Sequence, residues 1–194
     1  MSREAYEVIT RGLRGDAVGF LSRHVVMMGV RGNDGAANSQ VRGFEFEMAY
    51  PTRSGGAVFK PTREELGGAE APVFFYYLPW GTGTYMRLDP QDGPDFMITA
   101  TVKGCAVGYE RAADGAVRVG HYDLCTAGRG TKPEGTRAGR GGVYADEDGV
   151  ALIYGVRANR RWAIYAQPVT AVQTIDQPNG QVRLDAEIGA VKPF

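Results

Sequence analysis

Cysteine and histidine are both scarce in this chain, two of each among 194 residues, and each scarcity removes a class of chemistry. Two cysteines are too few for the disulfide framework of a small secreted domain and suit a reducing compartment in which at least one thiol stays free. A disulfide between Cys105 and Cys125 is the open alternative, since a hairpin brings two sulfurs together without further consequence. A zinc centre needs three or four ligands, and His24, Cys105, His121 and Cys125 lack the short paired spacings of one, so no metal site is expected.

Excess charge of either sign is missing too. Lysine plus arginine number 22, aspartate plus glutamate 22, and a net charge of zero gives no global reason to expect nucleic acid or an anionic membrane as partner. No apolar run reaches the length of a membrane span, and the opening Ser2-Arg3-Glu4 is followed by no apolar core of a signal peptide. Ser2, Ser22, Ser39 and Ser54 all stand outside a Gly-x-Ser-x-Gly context, and no Gly-Lys-Ser/Thr follows a glycine-rich turn, which removes serine hydrolase and phosphate-loop readings.

What is present is β-forming. Tyr6, Ile9, Leu13, Val18 and Leu21 recur at loosely helical spacing, broken by Gly12, Gly15 and Gly19, and predict one or two short helices ending near His24. After the turn Asn33-Asp34-Gly35, Val41 to Tyr50 alternates, with Phe44, Phe46 and Met48 on one side and Glu45 and Glu47 on the other. The aromatic run Val73 to Leu78 lies between Pro72 and Pro79 and reads as a buried strand. Further strands are expected over Phe96 to Tyr109, Ala116 to Leu124, Gly149 to Val156, Trp162 to Val172 and Gln181 to Ile188.

The expected fold is α+β and mostly β, a β-sandwich or strongly bent mixed sheet with flanking short helices, forming one domain over residues 1–194. No fixed-period repeat is present. Gly128 to Gly142 carries one alanine as its only apolar side chain besides glycine and reads as a loop, either a basic docking segment for an acidic partner or a solvated insertion. Leu78-Pro79-Trp80-Gly81-Thr82-Gly83-Thr84-Tyr85 reads as an aromatic, glycine-rich turn that either walls a site or packs in the core.

The chemistry concentrates in one hairpin. Thr99 to Tyr109 runs into Ala113-Asp114-Gly115 and returns through Val117 to Asp123. If those three residues form the loop, with glycine in the left-handed position, Val107 faces His121, Cys105 faces Asp123, and Cys105 and His121 share one face as diagonal neighbours roughly 7–8 Å apart at the backbone. A two-residue Asp-Gly turn would instead put them on opposite faces, and a bulge at Gly104, Gly108 or Gly120 would shift the register. An imidazolium beside a thiol lowers its pKa, generates the attacking thiolate and then protonates the departing amine. Asp123 either orients the imidazole or, directly across from Cys105, opposes the thiolate.

Val102-Lys103-Gly104-Cys105, followed by His121 sixteen residues later, resembles the glutamine deamidases of the cytotoxic necrotizing factor and Burkholderia lethal factor type, and also the chemotaxis receptor deamidases. Lys103 departs from the Leu-Ser-Gly-Cys pattern of the lethal factors, and the likeness covers only this hairpin region. The resemblance implies a toxin-like hydrolase with Cys105 as nucleophile, His121 as its base and Thr99 as a third participant, with Thr101 as the competing threonine. It also implies a target protein as substrate, no cofactor, and an effector acting in a target-cell cytosol; a bacterial cytoplasmic enzyme is the alternative. A straight strand would hold Thr99 roughly 20 Å from Cys105, so its participation requires a bend near Lys103-Gly104. A monomer is expected. Two further readings stay open: another thiol amidohydrolase or protease on the same pair, and a non-enzymatic β-sandwich binding module.

Overall fold

Helix α1 (Arg3–Gly15) forms where Ala5, Ile9 and Leu13 recur every fourth residue, and all three are buried in the computed structural model. Asp16 ends it and caps α2 (Ala17–Leu21), its carboxylate accepting the Gly19 N–H at 2.9 Å. The structure describes residues 3–27, 40–65, 72–78, 84–99, 102, 105–123, 143–146, 150–175 and 182–193. No helix among them is long and apolar enough to cross a membrane.

Strands follow in chain order: β1 (Val25–Val26), β2 (Gln40–Pro51), β3 (Ala57–Glu65), β4 (Val73–Leu78), β5 (Thr84–Leu88), β6 (Phe96–Thr99), β7 (Cys105–Arg111), β8 (Val117–Asp123), β9 (Val143–Asp146), β10 (Val150–Ala158), β11 (Arg161–Ile175), β12 (Val182–Ile188) and β13 (Lys192–Pro193). A large sheet takes the order β1-β3-β2-β4-β6-β10-β11-β12, with β13 also on β11; a small sheet takes β5-β8-β7-β9. Among the described strands, only β1 with β3 and β4 with β6 run parallel, so the large sheet is mixed.

Three layers result. One face of the large sheet packs Phe44, Phe46, Phe75, Tyr77 and Tyr154 against the apolar stripe of the helices. The other face packs Tyr76, Leu78, Met97, Ile153, Trp162 and Ile164 against Met86, Leu88, Val107, Tyr109, Val117 and Val119 of the small sheet. The fold is therefore α+β and mostly β, a sandwich of two sheets with helices on one outer face.

Two expectations need correction. Phe96 to Tyr109 is not one strand: β6 ends at Thr99 in the large sheet and β7 begins at Cys105 in the small one, with Val102 alone bridging back to Ala151. An alternation of apolar residues cannot tell one strand from two that bury the same kind of face against each other. Met48, expected on the buried side of β2 with Phe44 and Phe46, is 62% exposed, although its pairing with β3 is regular from Phe46 to Met48 and shifts only beyond it, before Tyr50. Asn33-Asp34-Gly35 and the Gly128 to Gly142 segment lie outside the described residues, as do positions 79–83 of the aromatic turn.

Candidate functional site

The hairpin that carries Cys105 and His121 is closed by local chemistry. Ala112 donates its N–H to Ala116 O at 2.8 Å, Gly115 donates back to Ala112 O at 3.1 Å, and Gly115 adopts φ +85°, leaving Ala113, Asp114 and Gly115 as a three-residue loop. The Asp114 carboxylate accepts from Arg87 of β5 and from the Ala116 N–H. Those bonds, the arginine's first, hold its carboxyl below the usual carboxylate range.

The loop fixes the pairing. Across β7 and β8, Cys105 lies opposite Asp123, Val107 opposite His121 and Tyr109 opposite Val119, with no register shift. Paired residues share a face, as do alternate residues along a strand, so positions 105 and 121 share one and are diagonal neighbours. That face is the inner one, since Val107, Tyr109, Val117 and Val119 on it are buried against the large sheet.

The outer strands complete two rows on this inner face. β9 sets Asp146 opposite Cys105 and Tyr144 opposite Val107, while β5 sets Thr84 opposite His121. The terminal row therefore reads Asp123, Cys105, Asp146 across β8, β7 and β9, and the next reads Thr84, His121, Val107, Tyr144 across β5, β8, β7 and β9. Asp146 and Tyr144 escape the sequence reading because β9 is short and follows the glycine-rich segment. The alternation of Val143 and Ala145 with Tyr144 and Asp146 is its only local signal.

Thr99 ends β6 on the large sheet. It alternates with Met97, which packs in the core between the sheets, so position 99 belongs to the same sheet face as Met97 by strand period, yet it sits at the last residue before the chain leaves that sheet. Its side chain is fully buried, and its hydroxyl accepts the Ile153 N–H at 3.4 Å. β6 ends at Thr99 in the large sheet and β7 begins at Cys105 in the small one, and the expected bend at Lys103-Gly104 lies outside the described residues. Thr101, Lys103, Gly104 and Cys125 lie outside the described residues.

His24 stands apart. Its ring stacks on Phe20 at 4.7 Å between centroids, and its Nδ1 accepts the Ala57 N–H at 3.1 Å. Burial, then the neighbouring Arg23 cation, lowers its pKa below the ordinary value of 6.5. It borders a cavity of about 210 Å³ lined also by Glu4, Val8, Met48 and Phe59. Among the described residues no three His, Cys, Asp or Glu side chains gather as metal ligands.

No protein-family model matches the chain, and no curated protein matches it significantly in sequence.

Proposed function

We propose that this protein is a cysteine-dependent hydrolase of carbon–nitrogen bonds, a toxin-like protein glutamine deamidase with Cys105 as nucleophile and His121 as its base. The observation that supports the reading is the pairing register, in which positions 105 and 121 are diagonal neighbours on one face at the end of the β7–β8 hairpin. Thr99 enters as a positioning residue at the start of the crossover that leads into Cys105. The enzyme acts on a target protein and needs no cofactor. Its working place is the cytosol of a target cell.

The reaction balances without a redox partner. The Cys105 thiolate attacks the carboxamide carbon of glutamine, and the His121 imidazolium protonates the departing nitrogen, so that ammonia leaves and a thioester remains. The neutral imidazole then takes a proton from water, hydroxide attacks the thioester, and the products are glutamate and the regenerated thiol. Incubation of the protein with glutamine-rich protein substrates is expected to release ammonia and convert Gln to Glu by mass spectrometry. Cys105→Ser abolishes this with an unchanged unfolding midpoint, and His121→Asn lowers kcat roughly a hundredfold to ten-thousandfold. Full turnover by Cys105→Ser would sink the proposal.

A second reading draws on the same register. Positions 105 and 121 extend the inner face that buries Val107 and Val119, the setting of an inert thiol in a binding module. Alkylation separates the two: the hydrolase predicts fast, His121-dependent labelling of Cys105 at neutral pH, the module labelling at the slow rate of a buried thiol.

A further inference from the structure

Away from the β7–β8 hairpin, the half-buried His24 lines a cavity of about 210 Å³ between the first turns of α1 and the β2–β3 hairpin. One side of the cavity is locked in place. Thr52 Oγ1 donates to Arg23 O at 2.6 Å and accepts the Gly56 N–H at 2.9 Å, and a β-carbon at Gly56 would collide with that same carbonyl. The His24 ring is fixed as well, stacked on Phe20 at 4.7 Å and lying 5.8 Å from the Phe59 ring.

Hydrogen bonding in the lining leaves one donor unspent. The N–H groups of Gly55, Gly56 and Ala57 go to Thr52 O, Thr52 Oγ1 and His24 Nδ1. Because Nδ1 accepts, the imidazole proton sits on Nε2, and that N–H has no partner among the described residues. No other lining side chain carries a donor, and Glu4, four residues before Val8 on α1, is the one charged side chain. Val8 and Met48 line the cavity yet are 36% and 62% exposed, so apolar surface stands open at its mouth.

We propose that this cavity binds a small neutral aromatic carbonyl compound, its ring against Val8, Met48 and Phe59 and its oxygen accepting from His24 Nε2. Volume, polarity and charge each narrow the class. An apolar cavity of about 150 Å³ takes up benzene, so this one has room for a ring with a short substituent. The Phe59 ring and the Met48 thioether both favour an aromatic face. One spare donor calls for one acceptor, since each further polar group would lose its water without gaining a partner. An anion would meet Glu4 and find no cation in the lining. The site belongs to the helical side of the large sheet, opposite the small sheet that carries Cys105, and stands independently of the hydrolase reading.

Acetophenone and isopropylbenzene test this, being alike in shape, with and without the acceptor. Each is titrated into the full chain labelled with 13C on the valine and methionine methyls and with 15N on histidine. Both are expected to shift the Val8 and Met48 methyl signals, and acetophenone alone to shift His24 Nε2, with His121, the other histidine of the chain, as internal reference. On His24→Phe the affinity for acetophenone relative to isopropylbenzene should fall about threefold to tenfold, the hydrophobic contributions cancelling in the ratio. Val8→Trp, at an exposed helix position, should block the cavity and abolish binding of both with an unchanged unfolding midpoint. If His24→Phe does not fold, the Nε2 shift in the natural chain decides the matter.

No methyl shift with either compound at millimolar concentration overturns the inference, as does binding that Val8→Trp leaves intact. Equal binding of the two with Nε2 unmoved removes the acceptor, and the proposed ligand class with it. A dimer that dissociates on Met48→Lys and takes up neither compound also overturns it, because a second copy of the chain would then cover the cavity mouth.

Discussion

At the scale of single residues, the acceptor role of His24 Nδ1 sets a pH dependence. The ring accepts the Ala57 N–H through Nδ1, which requires the neutral tautomer with its proton on Nε2; a second proton would set two donors against each other. The folded-state pKa lies below the ordinary 6.5, with burial as the largest cause and the Arg23 cation next. Glu4 also lines the cavity beside the ring. For a base whose folded pKa is depressed, the unfolded chain binds the extra proton more readily. Stability is therefore complete above pH 6.5 and falls as pH drops below that value toward the folded pKa. Urea unfolding at pH 7.5 and 5.5 is expected to show a larger acid loss for the natural protein than for His24→Phe, which keeps an aromatic ring for Phe20 to stack on. Equal losses would mean that His24 titrates alike in both states.

At the scale of elements, the Asp114-Gly115 turn determines which residues meet across the hairpin. Gly115 has φ +85°, and a β-carbon added there meets nothing nearer than Pro90 at 3.9 Å, so the cost of Gly115→Ala is one of backbone conformation alone. That cost is about 1–2 kcal/mol for an L residue in the left-handed region, and asparagine, whose side chain tolerates it, recovers part. Denaturant titration should rank glycine above asparagine above alanine; alanine equal to glycine would contradict the three-residue loop.

The same turn explains what was legible in the sequence. A glycine in a three-residue loop is a local signal, which gives Cys105 opposite Asp123 and Val107 opposite His121 once the two-residue Asp-Gly turn is set aside. Runs of β-branched and aromatic residues, bracketed by prolines in the case of β4, likewise reveal β4 and the long strands β10 and β11. Asp146 and the crossover after Thr99 are not local. Which strand flanks β7, and which sheet receives the chain after β6, depend on packing between layers that each present apolar residues to the same interior, and no spacing within one segment encodes that choice.

At the scale of the whole molecule, the large sheet separates two cores, and a buried polar cluster ties the helical layer to it. The Tyr154 hydroxyl lies 2.9 Å from both Val26 O and Gln167 Oε1, with one hydrogen to give, and accepts the Val26 N–H at 3.2 Å. Burial raises the phenol pKa far above its ordinary value, so it stays neutral and can donate. Gln167 Nε2 in turn donates to Leu21 O and, at 2.7 Å, to His24 O, so a fully buried amide from β11 holds one carbonyl at the end of α2 and one just beyond it.

Gln167→Met keeps the volume but leaves those carbonyls and the phenol without their partner, at a cost of about 1–3 kcal/mol. The loss should not be shared evenly. The small sheet packs on the opposite face through Val107, Val117 and Val119. Hydrogen exchange of Gln167→Met is therefore expected to show reduced protection from Gly12 to Val26, with the amides of the β7–β8 hairpin keeping theirs. Because Cys105 and His121 belong to that hairpin, thiol reactivity and any hydrolysis should survive the substitution. Uniform loss of protection in both layers would mean that the molecule opens as one unit and that the helical layer is not independently tethered.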